Sequence, residues 1–156
     1  MNDVSVAAAE AAKTEAAELL AALGAIRRVA RGAVRSSADA GALPPARSEL
    51  LRLTARRPGI SVAEAAQELR LAPNSVSTMV SQLTADGLLT RGRVAADGRA
   101  VRLTVTDQGA ARIGQWRDIR AELGGRALER LPAADRQAIV AAVPALTRLA
   151  EQMEEL

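Results

Sequence analysis

Residues 61–109 constrain this chain more than any other stretch, because the hydrophobic period changes there from helical to alternating. Ser61 and Glu64 have the spacing of a capping box: the hydroxyl can accept from the amide three residues on while the carboxylate reaches back. A helix is therefore predicted over residues 62–70. Residues 71–74 form a turn, in which Pro73 both stops one helix and opens the next. That second helix carries Val76, Met79, Val80 and Leu83 at i, i+3, i+4 and i+7, one apolar stripe, and closes at Gly87. Val101, Leu103 and Val105 then alternate with Arg102, Thr104 and Thr106, the pattern of a strand with one apolar face. Residues 88–94 can pair with it across a turn at Asp97 and Gly98.

Composition narrows what such a chain can do. The 156 residues suffice for one small domain with an added helical stem and can bury a real core. There is no Cys and no His, which removes thiol chemistry, the commonest metal ligand and the usual general base. An enzyme would have to rely on paired carboxylates, and no Asp or Glu spacing suggests a pair, so no catalytic residue, metal or cofactor is expected. No run approaches the roughly eighteen apolar residues of a membrane span, and the N-terminus lacks the basic-then-apolar order of a signal peptide. A cytoplasmic protein without a membrane partner is expected. Trp116 is the one aromatic residue, so Ala, Leu and Val must set the spacing between closely packed helices. Charge is unevenly placed. Residues 44–106 hold nine basic and five acidic side chains, whereas residues 1–43 balance five against five and residues 107–156 have seven against eight. The basic surplus thus lies on the segment with the two-helix and hairpin pattern, as a phosphate-facing surface requires.

The flanks read as long helices. Over residues 4–35, Leu19, Leu23, Ile26, Ala30 and Ala33 alternate spacings of four and three, a narrow seam like that of a coiled coil. So thin a stripe cannot make a core alone; other helices of the chain or a second copy could cover it. Residues 36–45 form a loop, and Pro45 can open a helix that Pro58 and Gly59 end, leaving Ile60 as a short extended connection. Thr106 is the expected N-cap of a helix to about residue 130, disturbed near Gly124 and Gly125. Pro132 starts a last helix with Ile139, Val143, Leu146, Leu149 or Ala150, and Met153 on one side. Pro144 is expected to kink or split it.

Opposite the apolar stripe of the second short helix stand Asn74, Ser75, Ser77, Thr78, Ser81 and Gln82. A solvated polar face is the plain reading of these residues. The basic hairpin that follows favours the other reading, contact with the donors and acceptors that base edges show in a major groove. The whole order, Val-Ser-Thr-Met-Val-Ser-Gln-Leu over residues 76–83, Asp86-Gly87-Leu88-Leu89-Thr90-Arg91, Asp97-Gly98-Arg99, and Leu103-Thr104-Val105-Thr106-Asp107-Gln108-Gly109, resembles the MarR family of bacterial transcriptional regulators. The match in order and spacing covers about residues 44–112, with the flanks alike in layout.

That resemblance implies a mainly α fold with a small β-hairpin wing, a winged helix-turn-helix carried on a helical dimerisation stem. Residues 1–43 would supply an N-terminal dimerisation helix and loop, residues 44–106 the DNA-binding lobe, and residues 107–156 the C-terminal dimerisation helices. It further implies a homodimer on a palindromic stretch of double-stranded DNA, acting as a repressor. The helix with Asn74, Ser75, Ser77, Thr78, Ser81 and Gln82 would enter the major groove. The wing, Asp97, Gly98 and Arg99, would place Arg99 in the minor groove, with Asp97 bracing the wing through a pair with Arg91. Arg47, Arg52, Arg91, Arg93 and Arg102 are candidate phosphate contacts, although surface arginines also pair with acids. Many relatives bind small aromatic acids as effectors, and Trp116 is the candidate wall of such a pocket, though a lone Trp at helical spacing more often belongs to a core or interface. This chain departs from the family in having Thr78 and Gln82 where many relatives have Arg, so its reading helix is neutral. That neutrality favours a competing reading, a winged-helix module for protein interaction or assembly without sequence-specific DNA binding.

Overall fold

The computed structural model describes residues 3–37, 41–93 and 101–155. In chain order these residues form α1 (Asp3–Ser36), α2 (Pro45–Arg56), β1 (Ile60–Ser61), α3 (Val62–Leu69), α4 (Pro73–Ala85), β2 (Leu89–Arg93), β3 (Val101–Val105), α5 (Asp107–Glu129) and α6 (Ala133–Glu154). Asp97 and Gly98, the expected turn of the hairpin, lie outside the described residues.

The central lobe is built by short-range chemistry. The capping box closes as expected: the Glu64 N–H donates to the Ser61 hydroxyl at 3.2 Å and the Ser61 N–H donates to the Glu64 carboxylate at 2.8 Å. Arg70 ends α3 in the left-handed region at φ 53°, and the N–H groups of Arg70 and Leu71 fold back to Gln67 and Ala66. This is the reversal that a glycine usually makes after a helix, here made by an arginine. Pro73 then opens α4, whose Val76, Val80 and Leu83 are buried while Met79 is half-buried. Asn, Ser, Thr and Val are indifferent helix formers, each costing about half a kcal/mol against alanine. Burial of each of the three apolar side chains contributes about 1.5–3 kcal/mol. Packing therefore holds α4 together, and packing also fixes which face it shows.

The wing strands differ from the sequence reading in one respect. Ile60 is more than an extended connection: β1 pairs antiparallel with β3, Ile60 opposite Leu103 and Ser61 opposite Arg102, giving a three-stranded sheet in the order β1-β3-β2. Two residues are too few to show an alternating pattern, and the strand exists because its long-range partner supplies the ladder. Leu50, Leu51, Leu53, Ile60, Ala65, Ala66, Val76, Val80, Leu83, Leu88, Leu89 and Leu103 make one core, joined by Val34 from α1 and Trp116 from α5.

The long helices contrast with that lobe. Thr106 caps α5, accepting from the Gly109 N–H at 3.0 Å and donating to the Gly87 carbonyl at 2.7 Å. Gly124 and Gly125 leave α5 unbroken, and Pro144 does not divide α6, which is a single helix of 22 residues. α1 lies along α5, but its Leu20, Ile26 and Val29 are exposed. α6 buries no residue and leaves Ile139, Val140, Val143, Leu149 and Met153 exposed. No helix among the described residues is long and apolar enough to cross a membrane.

A Cβ on Gly109 would stand 2.3 Å from the Leu88 carbonyl oxygen and 2.8 Å from Val105 Cγ1, so backbone would have to move to admit it. Gly109→Ala should lower stability by about 1–3 kcal/mol in urea titration. Gly124→Ala meets nothing within 4 Å and should raise it by about 0.5–1 kcal/mol. The Glu64 carboxyl is held below the usual carboxylate range by the Ser61 hydroxyl and N–H and then by the charges of Arg102 and Arg57, against a desolvation that raises it. The folded chain thus binds this proton less tightly than the unfolded chain, so the contribution is complete at neutral pH and is lost as pH falls below about 4.3, the ordinary Glu value. Stability of the natural protein should accordingly fall faster than that of Glu64→Gln between about pH 5 and pH 3, and the two curves should converge at the acid end.

Candidate nucleic-acid interface

The orientation of α4 decides what the lobe presents. With Val76, Val80 and Leu83 turned inward, Asn74, Ser75, Ser77, Thr78, Ser81 and Gln82 are all exposed. Asn74, Ser77, Thr78 and Ser81 follow one another at helical spacing and make a continuous polar stripe. Their hydroxyls are not equivalent. The Thr78 hydroxyl donates to the Asn74 carbonyl at 3.0 Å, and the Ser81 hydroxyl donates to the Ser77 carbonyl at 2.9 Å. Both hydrogens are turned back onto the helix, so these two groups face outward as acceptors. No bond of this kind ties the side-chain donors of Asn74, Ser75, Ser77 and Gln82 to the helix.

One cation reaches this face from the sheet. Arg91 Nη2 donates to the Ser81 hydroxyl oxygen at 2.7 Å. In β2, Leu89 is buried and paired with Val105, and Arg91, two residues on, is paired with Leu103. The period of two puts both side chains on the helix-facing side of the sheet. Leu89 fills the core, while Arg91 is exposed and reaches across to Ser81 of α4. Asp97, the partner expected for Arg91, lies outside the described residues, as do Gly98 and Arg99.

The other arginines of the lobe divide between internal pairs and open surface. Arg47 pairs with Asp86, the C-cap of α4, at 3.2 Å. Arg102 donates to the Gly59 carbonyl at 3.0 Å and to Glu64 at 3.2 Å, tying β3 to the start of α3. Arg52 pairs with Glu49 at 2.8 Å and Arg57 with Glu68. Arg47 and Arg102, both candidate phosphate contacts, thus spend part of their hydrogen bonding within the lobe. Arg93 ends β2 opposite Val101, and its side chain is outside the described residues. Among the described residues no group of three or more acidic side chains could hold a metal ion.

Trp116 is fully buried and joins α5 to the core. It also lines a cavity of about 70 Å³ where α1, α2 and α5 meet, together with Val34, Leu43 and the arginines 31, 35, 52 and 120. Sequence reading singled out the tryptophan and missed the arginines. Their signal was present: residues 27, 31 and 35 are arginines four apart on one face of α1. Glu49 is the acid among them; burial alone would raise its carboxyl, but the hydrogen bond and charge of Arg52, with Arg56 and Arg27 behind, pull it below the usual range. Burial and the neighbouring Arg52 charge lower Arg120, against the pull of Glu49. An apolar cavity that accepts benzene measures about 150 Å³. The present space is smaller than an aromatic acid needs.

Comparison with known proteins shows what the chain is similar to. The sequence model of the MarR family matches residues 43–100. No curated protein matches the chain. Among solved structures, a MarR family protein from Bacillus stearothermophilus is similar with a TM-score of 0.75 at 20% identity, covering 93% of this chain and 97% of that one. The transcriptional regulator Tm0710 from Thermotoga maritima gives 0.73 at 22% identity, covering 89% and 98%. Streptococcus pneumoniae FabT, solved in complex with DNA, gives 0.65 at 14% identity, covering 90% and 98%. The match to the MarR family model falls on the stretch from α2 through β2, and the fold shared with these solved structures extends through the flanking helices.

Proposed function

We propose that this protein is a dimeric DNA-binding regulator that represses by occupying a palindromic operator. The carrying observation is the polar face of α4, exposed along its whole length and flanked by the wing strands. α4 would lie in the major groove, and Arg99 at the wing would enter the adjoining minor groove, where negative potential concentrates. Arg93 and the outer N–H groups of Arg47 and Arg102 would meet phosphates. FabT, a structural relative solved on DNA, supports this reading at the level of the fold.

The second copy is argued from apolar surface. Ile26 and Val29 of α1 are about two-thirds exposed, and Val140, Val143 and Met153 of α6 more than half. Contiguous apolar faces of this kind on a soluble protein mark an interface. In the dimer, α1 from residues 1–43 and α5 and α6 from residues 107–156 would make the stem, with residues 44–106 as the lobe it carries. An effector, where one acts, would enter at Trp116 and the surrounding arginines. It would be anionic, and it would have to widen the cavity, displacing α1 or α5 and so altering the spacing of the lobes.

The competing reading, an assembly module, draws on the neutral side chains of α4 itself, and the two are separated by experiment. In a mobility-shift titration against DNA upstream of its own gene, the protein should retard a specific fragment at low salt. With six or more phosphates neutralised, affinity should fall about a thousandfold between 50 and 200 mM salt. Arg99→Ala should weaken that binding about tenfold or more while leaving the fold and dimer intact. An assembly module would be indifferent to both. Val143→Glu places a charge on the exposed face of α6 and should convert a particle of twice 16.3 kDa into a monomer in sedimentation, with operator binding lost alongside. An unchanged mass would remove α6 from the interface.

A further inference from the structure

We infer that Arg91 of β2 is the guanine reader of the major-groove surface, supplying from the sheet the guanidinium that α4 lacks. The inference rests on the DNA-binding reading above and deepens it.

Three observations carry it. First, Arg91 does not project outward from the wing as a backbone contact would. Its register with Leu89 and Leu103 puts it on the side of the sheet that faces the helices, and its Nη2 lies 2.7 Å from the Ser81 hydroxyl. Second, Ser81 is arranged to hold it. The Ser81 hydrogen is committed to the Ser77 carbonyl at 2.9 Å, leaving the oxygen as an acceptor aimed at Arg91. Ser81 is thus a post for the arginine, and the Arg91 bond to it uses one of five N–H groups in a rigid fork. Third, the chemistry of α4 is incomplete without a cation. Guanine shows two acceptors in the major groove and is read by a bidentate guanidinium, whereas the amides of Asn74 and Gln82 suit adenine.

The dimensions agree. From Asn74 to Ser81 the stripe rises about 10 Å at 1.5 Å per residue. Base pairs stack at about 3.4 Å, so the stripe passes roughly three of them. Arg91 stands at its C-terminal end, next to the last base pair the helix itself can reach. An arginine delivered there by the neighbouring strand restores the side chain that many relatives carry on the helix.

The test is selection of bound sequences from a randomised duplex pool by the natural protein and by Arg91→Ala, Arg91→Lys and Ser81→Ala, with dimer mass and helical content checked for each. The natural protein should select a guanine at one fixed position of each half-site, preferred about tenfold or more. Arg91→Ala should erase that preference and keep the others. Arg91→Lys should recover overall affinity but not the guanine preference, because a point charge lacks the fork. Ser81→Ala should blunt the same position and no other. If Arg91→Ala weakens all sequences alike, or leaves the selected sequence unchanged, Arg91 is a phosphate contact or a bystander and the assignment fails while DNA binding stands. If the natural protein selects nothing and retards no duplex, the DNA-binding reading falls, and this assignment with it.

Discussion

The burial of Val76, Val80 and Leu83 governs everything this lobe can present. A helix of 13 residues rich in Ser, Thr and Asn has little reason to persist alone, and its rotation about its own axis is set by three side chains in a shared core. Turning α4 by one residue would carry its apolar stripe about 100° round and expose it. The core therefore determines that Asn74, Ser77, Thr78 and Ser81, and no other set, form the outer stripe. Leu89 and Leu103 belong to the same core, so the sheet is locked to α4 by the same contacts. This is why the distance from Arg91 to Ser81 is a property of the fold and not of two surface side chains alone.

A second joint fixes the angle between the sheet and the two-helix unit. Glu64 accepts from the Ser61 N–H and from Arg102, and Arg102 also donates to the Gly59 carbonyl. The capping box of α3, the turn before β1 and strand β3 thus meet at one carboxylate. Exposed ion pairs contribute little individually, about 0–1 kcal/mol. Here the gain is geometric. Arg102 satisfies a turn carbonyl and orients a helix cap at once, so the residue that sequence alone offers for phosphate contact is engaged in holding the wing base in place.

Much of this was legible in the chain. The capping box, Pro45 and Pro73 at helix starts, Thr106 as N-cap and the stripe of α4 are local signals, each written within about four residues, and each appears in the structure. What stayed hidden was long-range. β1 has two residues and no pattern of its own; it becomes a strand through Leu103, 43 positions away. The contact between Arg91 and Ser81 needed two periods read together, 3.6 along α4 and 2 along β2, with Leu89 assigned inward. The residues for that inference were present in the sequence, whereas Asp97, the partner expected for Arg91, lies outside the described residues. Pro144 shows the opposite case: a local rule predicted a kink or a split, and the split does not occur, since α6 continues through it as one helix.

The lobe and the flanking helices are finished to different degrees, and the difference bears on function. Among the described residues, twelve of the fourteen buried apolar side chains lie between Leu50 and Leu103, while α6 contributes none. A lobe with its own core can keep the relation of α4 to Arg91 whatever happens around it. Helices that leave their apolar faces uncovered cannot fix their own positions. On the proposed reading, the reading surface is thus rigid and the distance between two such surfaces is adjustable. The junction of the two regimes is where Val34 and Trp116 enter the core, beside the arginine-lined cavity. Anything that neutralises or crowds those arginines acts on α1 and α5, the helices of the proposed stem, before it acts on α4. Regulation placed there would change where the two lobes stand without changing what each of them reads.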